Sequence, residues 1–179
     1  MVLLPYHEDS LPVTPVKLGV SEGYARWANV YDHDGNPRTA LETKATQPLF
    51  GDVARLKIAD IGCGTGRHTE WLIANGAQVV ALDASRQMQS RARAKACSDL
   101  AKFVLHDVHE PLPFNNEHFN GMVFALVAEH LPLHVLARLF AEFKRTLKPG
   151  GWIVMSTLHP DRRVLGEMPR FYDSATNQN

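Results

Sequence analysis

The chain has 179 residues, 45% hydrophobic, 8% aromatic and 21% charged, and its 19 Lys and Arg balance 19 Asp and Glu. Zero net charge without a run of like charges disfavours a nucleic-acid binder, whose affinity comes largely from neutralised phosphates. No stretch approaches the roughly 20 apolar residues of a membrane span, so one ordinary globular domain is expected.

Residues 1–20 carry Pro5, Pro12 and Pro15 with no sustained period and read as a loose arm. MVLL runs straight into Pro5 without a basic region, which is not a signal-peptide pattern. Two cysteines, Cys63 and Cys97, are too few for a disulfide scaffold, so a reducing cytoplasm is the expected setting. The pattern predicts two short helices, Glu22 to Tyr31 and Thr39 to Phe50, separated by the turn-forming DHDGNP.

A regular alternation follows. Ile58 to Ile61 reads as a buried strand, Arg67 to Asn75 as a helix closed by Gly76, and Gln78 to Leu82 as the second strand. Ser85 is placed as N-cap of a helix reaching about Ala96, with Met88, Ala92 and Ala96 as its narrow buried stripe. Lys102 to Leu105 and Met122 to Val127 are strands three and four. Leu136, Leu139, Phe140, Phe143 and Leu147 keep helical spacing over 133–147. Lys148-Pro149-Gly150-Gly151 then reads as a stop and turn before the fifth strand, Trp152 to Thr157.

Strands apolar throughout and separated by helices predict an α/β fold, a doubly wound, mostly parallel sheet covered on both faces. The expected strand order is 3-2-1-4-5, with ligands bound outside the carboxyl ends of the strands. The parts are an arm (1–20), a helical cap (21–56), the α/β core (57–158) and a tail (159–179). Nothing in the tail reads as further strands, so the fifth would lie at an apolar edge. A truncated longer protein, a tail folded over that edge, or a homo-oligomer covering it are the alternatives.

After the first strand the chain reads Asp60-Ile61-Gly62-Cys63-Gly64-Thr65-Gly66-Arg67. The glycines allow a sharp turn and close approach of backbone to a ligand. Arg67 occupies the position of the third glycine of the dinucleotide fingerprint, and the Gly-Lys-Ser/Thr of a P-loop is absent. Asp83 ends the second strand, where a carboxylate can accept both hydroxyls of a ribose. Asp107 follows the third, where an acid can take the exocyclic amine of adenine.

With IADIGCGTGRH (58–68), VVALDAS (79–85), FVLHDVHEPLPF (103–114), FNGMVFALVAEHL (119–131) and LKPGGWIVMST (147–157), the chain resembles the class I S-adenosylmethionine-dependent methyltransferases. The likeness is greatest to the small-molecule branch that includes ubiquinone/menaquinone C-methyltransferases. The resemblance implies a Rossmann-like fold of seven strands, of which five are recognisable here. It also implies S-adenosyl-L-methionine as cofactor, with S-adenosyl-L-homocysteine as product. Gly62, Cys63 and Gly64 would lie against the methionine moiety, with Asp60 ordering the loop near its amino group. Asp83 would hold the ribose, Ala84 and Met88 would flank the adenine, and Asp107 with Val108 would read its edge. Leu126 or Val127 would face the sulfonium, and Tyr24 and Tyr31 would belong to a helix covering the cofactor.

S-adenosylmethionine carries no phosphate, so the missing P-loop lysine is consistent with it. Its leaving group is already good, so holding nucleophile, carbon and sulfur in line is the protein's main task. His130 is the candidate general base, with His159 a weaker one. Neither His106-x-x-His109 nor His130-x-x-x-His134 comes with a third ligand, so no metal is expected. The expected function is methyl transfer to a small-molecule acceptor, without nucleic acid or a membrane span. The alternative is a binding protein for the same cofactor with little or no transferase activity. An NAD-dependent oxidoreductase is disfavoured by Arg67.

Overall fold

Five parallel strands form one sheet in the order β3-β2-β1-β4-β5 in a computed structural model that describes residues 18–33, 35–95, 100–159 and 161. The strands are β1 (Lys57–Ile61), β2 (Gln78–Asp83), β3 (Ala101–Leu105), β4 (Phe119–Ala125) and β5 (Leu147–Ser156). The helices are α1 (Val20–Trp27), α2 (Pro37–Thr46), α3 (Arg67–Ala74), α4 (Arg86–Lys95) and α5 (Leu133–Thr146), with 3-10 turns at Gln47–Phe50 and Ala128–His130. Fold class and strand order are as the sequence predicts. The arm and tail fall almost wholly outside the described residues, as do Ala96 and Cys97.

Alternation along the central strands builds two cores. Ala59, Ile61, Val80, Leu82, Met122 and Phe124 face one side, where Leu139 and Phe143 of α5 meet them. Ile58, Val79, Ala81 and Val123 face the other, against Leu72 of α3 and Phe50. A side chain directed to either face is thus removed from water, which is why these strands carry few polar residues within them. Burying each large apolar side chain contributes about 1.5–3 kcal/mol. Among the described residues no helix is long and apolar enough to cross a membrane.

Three local expectations need correction. β4 starts at Phe119 and ends at Ala125, because Leu126 turns left-handed (φ 56°) and leaves the ladder. β5 begins at Leu147: Phe119 pairs with Leu147 and Gly121 with Trp152, so β5 advances five residues while β4 advances two. Lys148 to Gly151 is therefore an irregularity within the ladder rather than a stop before it. On α5 the buried stripe is Val135, Leu139, Phe143 and Thr146, while Phe140 is exposed and meets Phe143 edge to face.

Candidate functional site

The loop between β1 and α3 crosses to the end of β2, where the N–H groups of Gly62 and Cys63 both donate to Leu82 O at 2.8 Å. Gly62 has φ 73°, and a Cβ there would lie 2.3 Å from Val127 Cγ2, so this glycine lets the loop after β4 close in. Gly64 (φ 55°) differs: a Cβ on it would meet nothing within 4 Å. Its missing side chain faces open space beside a cavity of about 350 Å³ at the carboxyl ends of the strands.

Of the residues singled out from sequence, Tyr24, Asp60, Gly62, Cys63, Gly64, Asp83, Ala84, Asp107, Val108, Leu126 and His130 all line this cavity. Met88 does not. It is 1% exposed and packs with Trp27 and Ala28, because the buried stripe of α4 turns toward α1. Tyr31, Val127 and His106 also line the wall.

Each acid has a distinct setting. Asp83 accepts from Gly64 N–H on Oδ2 (2.8 Å) and from Ser85 N–H on Oδ1 (2.7 Å). Both oxygens are thereby oriented, with a second lone pair each still available. Burial raises its carboxyl above the usual range despite those bonds, and the charge of Asp60 adds to the rise. Asp60, 2% exposed, accepts from Thr69 Oγ1 at 2.6 Å, and burial raises it too. Asp107 is more open. Burial opposes its ionisation, but bonds from His109 N–H (2.9 Å) and the His109 ring (2.6 Å) hold it below the usual range.

Burial, and then the charges of Tyr31, Glu129 and Asp83, push the Tyr24 phenol up, so it keeps its proton. The hydroxyl lies 2.9 Å from His130 Nε2, so this ring nitrogen is already engaged. A proton-abstracting His130 would first have to release Tyr24. The Cys63 thiol is pushed up by burial and by Asp60 and Asp83, so it stays neutral and serves as a small wall residue.

A second cluster escaped the sequence reading. Glu42 of α2, 8% exposed, accepts from Arg67 and from His68 Nε2 (3.0 Å) on Oε2, and from Ser156 Oγ (2.8 Å) on Oε1. Burial alone would raise this carboxyl. The bonds and charges of His68 and then Arg67 outweigh it and hold the group at about 2. One buried carboxylate thus ties α2 to α3 and to the end of β5. Nearer α1, Asp32 accepts from Thr65 Oγ1 (2.6 Å) and Lys95 Nζ (2.8 Å).

Among the described residues two buried side-chain polar atoms have no partner, His68 Nδ1 and His106 Nε2, and both rings line the cavity. Buried polar groups are normally satisfied, so these two nitrogens are exceptions behind the cavity wall. With three lining carboxylates, one arginine and no lysine, it suits a ligand with hydroxyls and amines better than a polyphosphate.

Residues 59–155, more than half of the chain, match a family described as a methyltransferase domain. The chain is 30% identical to an uncharacterised methyltransferase of Emericella nidulans, over 82% of this chain and 63% of that protein. It is 32% identical to a malonyl-[acyl-carrier protein] O-methyltransferase of Erwinia pyrifoliae, over 84% and 55%. The crystal structure of an S-adenosylmethionine-dependent methyltransferase from Mesorhizobium loti superposes with a TM-score of 0.62 at 32% identity, covering 66% of this chain and 54% of that one. The chain spans less than two thirds of the length of each of these relatives.

Proposed function

The chain belongs to the methyltransferase-domain family, and from that premise we propose that it binds S-adenosyl-L-methionine and directs its methyl group to a small-molecule acceptor. The observation that carries this reading is the cavity wall: Gly64 facing open space, Asp83 oriented by two backbone N–H groups, and three lining carboxylates without a lysine. The cofactor fits it. It has hydroxyls and amines to donate and no phosphate to neutralise.

In this reading Asp83 receives the ribose hydroxyls on its two free lone pairs. Asp107 and Val108 meet the adenine edge, and Ala84 lies along the base. Gly64 and Cys63 leave room for the methionyl arm, with Asp60 behind them. When bound, the cofactor supplies a methyl group on a sulfonium, a leaving group that needs no protein acid. The protein's part is orientation and exclusion of water, and orientation alone is worth up to roughly 7–11 kcal/mol. Leu126, Val127 and Leu131 give the wall by β4 an apolar surface, and Tyr24 closes over it through His130. A single lining arginine supports a small acceptor rather than a nucleic acid.

Titration calorimetry with S-adenosylmethionine and S-adenosylhomocysteine tests the cofactor, and absence of binding to both refutes the proposal. Release of S-adenosylhomocysteine on incubation with a library of small acceptors tests transfer. Binding without release across that library would leave a cofactor-binding protein instead.

A further inference from the structure

Asp107 and His109, just past β3, both line the cavity, and their side chains are 58% and 48% exposed. Unlike the buried acids, this pair stands open to a ligand. Its contacts fall on one oxygen. Asp107 Oδ1 accepts from His109 N–H at 2.9 Å and meets His109 Nδ1 at 2.6 Å. The carboxyl titrates below its usual range, so at neutral pH it is charged and only accepts. The donor in the second contact is therefore Nδ1–H. Oδ2 receives neither bond.

The backbone around the pair is fixed as well. Asp107 O accepts from Glu110 N–H (2.9 Å), and His109 O accepts from Arg138 of α5 (3.2 Å). His106 N–H donates to Asp83 O at 3.0 Å, which ties this loop to the residue that ends β2. An Asp–His pair in a cavity can also serve as a general base. Its place argues otherwise: with the ribose on Asp83 and the methionyl arm at the β1 loop, the reacting sulfur lies beyond the ribose from His109. The pair sits at the purine end.

An exposed aspartate is otherwise free to turn, and ordering it when a ligand binds costs affinity. The imidazole bond supplies that order beforehand. We propose that His109 is a positioning residue, its ring fixing the Asp107 carboxylate so that Oδ2 accepts from the exocyclic amine of the cofactor's adenine. This inference rests on the reading that the cavity takes S-adenosylmethionine with Asp107 at the base. A purine without that amine has no donor to offer Oδ2 there, so the pair acts as a selector for the amino group.

Two substitutions test the ring. His109→Ala removes its donor and keeps the backbone N–H. His109→Asn restores an amide donor at the δ position without an imidazole. Each protein is titrated with S-adenosylhomocysteine and with its analogue carrying hydrogen in place of the 6-amino group. The unaltered protein should prefer S-adenosylhomocysteine by about 10-fold or more, the size of a hydrogen bond to a charged group. H109A should cut that preference by about 3- to 10-fold, the effect of one side chain left to be ordered, with the analogue within about twofold. H109N should recover most of it.

Equal weakening of both ligands by H109A, an unchanged preference, or no recovery in H109N overturns the proposal. If the unaltered protein binds both ligands alike, the placing of Asp107 at the amine fails and takes this inference with it. If it binds neither, the cofactor reading itself fails. Both results are distinct from a normal preference that ignores His109.

Discussion

Replacing Glu42 by glutamine keeps the shape of the side chain and removes the charge that joins α2, α3 and β5. In the fold its carboxyl titrates at about 2, against an ordinary 4.5. At about 1.4 kcal/mol per unit, the difference corresponds to roughly 3 kcal/mol of stability at neutral pH. The folded carboxylate binds its proton less readily than the unfolded one. This stabilisation is therefore complete above about pH 4.5 and is lost progressively as the pH falls toward 2. Glu42→Gln should lower stability at pH 7 by about 3 kcal/mol, or roughly 6–12 °C in melting temperature for a chain of this size. Guanidinium titrations of both proteins between pH 7 and pH 2.5 test the prediction. Other carboxylates titrate in the same range but cancel in the difference between the two proteins. The gap should hold steady down to about pH 5 and close below it. A gap under about 1 kcal/mol at pH 7, or one of constant size at every pH, would refute this account of the cluster.

The glycine loop allows a paired test. Gly62→Ala places a Cβ 2.3 Å from Val127 Cγ2 in a left-handed backbone and should cost roughly 2–5 kcal/mol, read from urea midpoints. Gly64→Ala meets no neighbour and should cost only about 1–2 kcal/mol, yet weaken S-adenosylhomocysteine binding more than Gly62 packing would suggest. Equal stability losses would contradict the different surroundings of the two positions. Tyr24→Phe removes the hydroxyl facing His130 and should cost about 0.5–1.5 kcal/mol by thermal melting. A neutral or stabilising result would mean that the pair contributes nothing to holding α1.

Much of the fold is legible in sequence because its signals are local. Apolar runs mark the central strands, and the glycine loop with Asp83 and Asp107 falls at strand ends within about fifty residues. The cluster around Glu42 is not local: Glu42 meets Arg67, His68 and Ser156, the last 114 residues away. In sequence it is an ordinary glutamate in a polar helix, and only the packing of α2 against β5 removes it from water. Met88 shows the converse. Its i, i+4 spacing with Ala92 correctly indicates a buried stripe, and that burial takes it away from the cavity wall where the family resemblance would put it. The start of β5 is hidden because Pro149 and Gly150 read as chain breakers, while the ladder absorbs them as an irregularity.

Leu126, where β4 leaves the sheet, is one of three non-glycine residues with positive φ among those described, and of the three it alone lines the cavity. A left-handed backbone costs such a residue about 1–2 kcal/mol, which glycine would not incur. The fold bears that cost rather than leave the wall bare, since glycine would bring no side chain to the place where β4 opens onto the cavity. Its N–H still reaches Ser156 O at 2.9 Å, so the conformation is anchored from the neighbouring strand. Conformational ease and wall shape therefore ask for different residues at this position. Here the chain gives up a little stability to keep an apolar surface on the cavity wall.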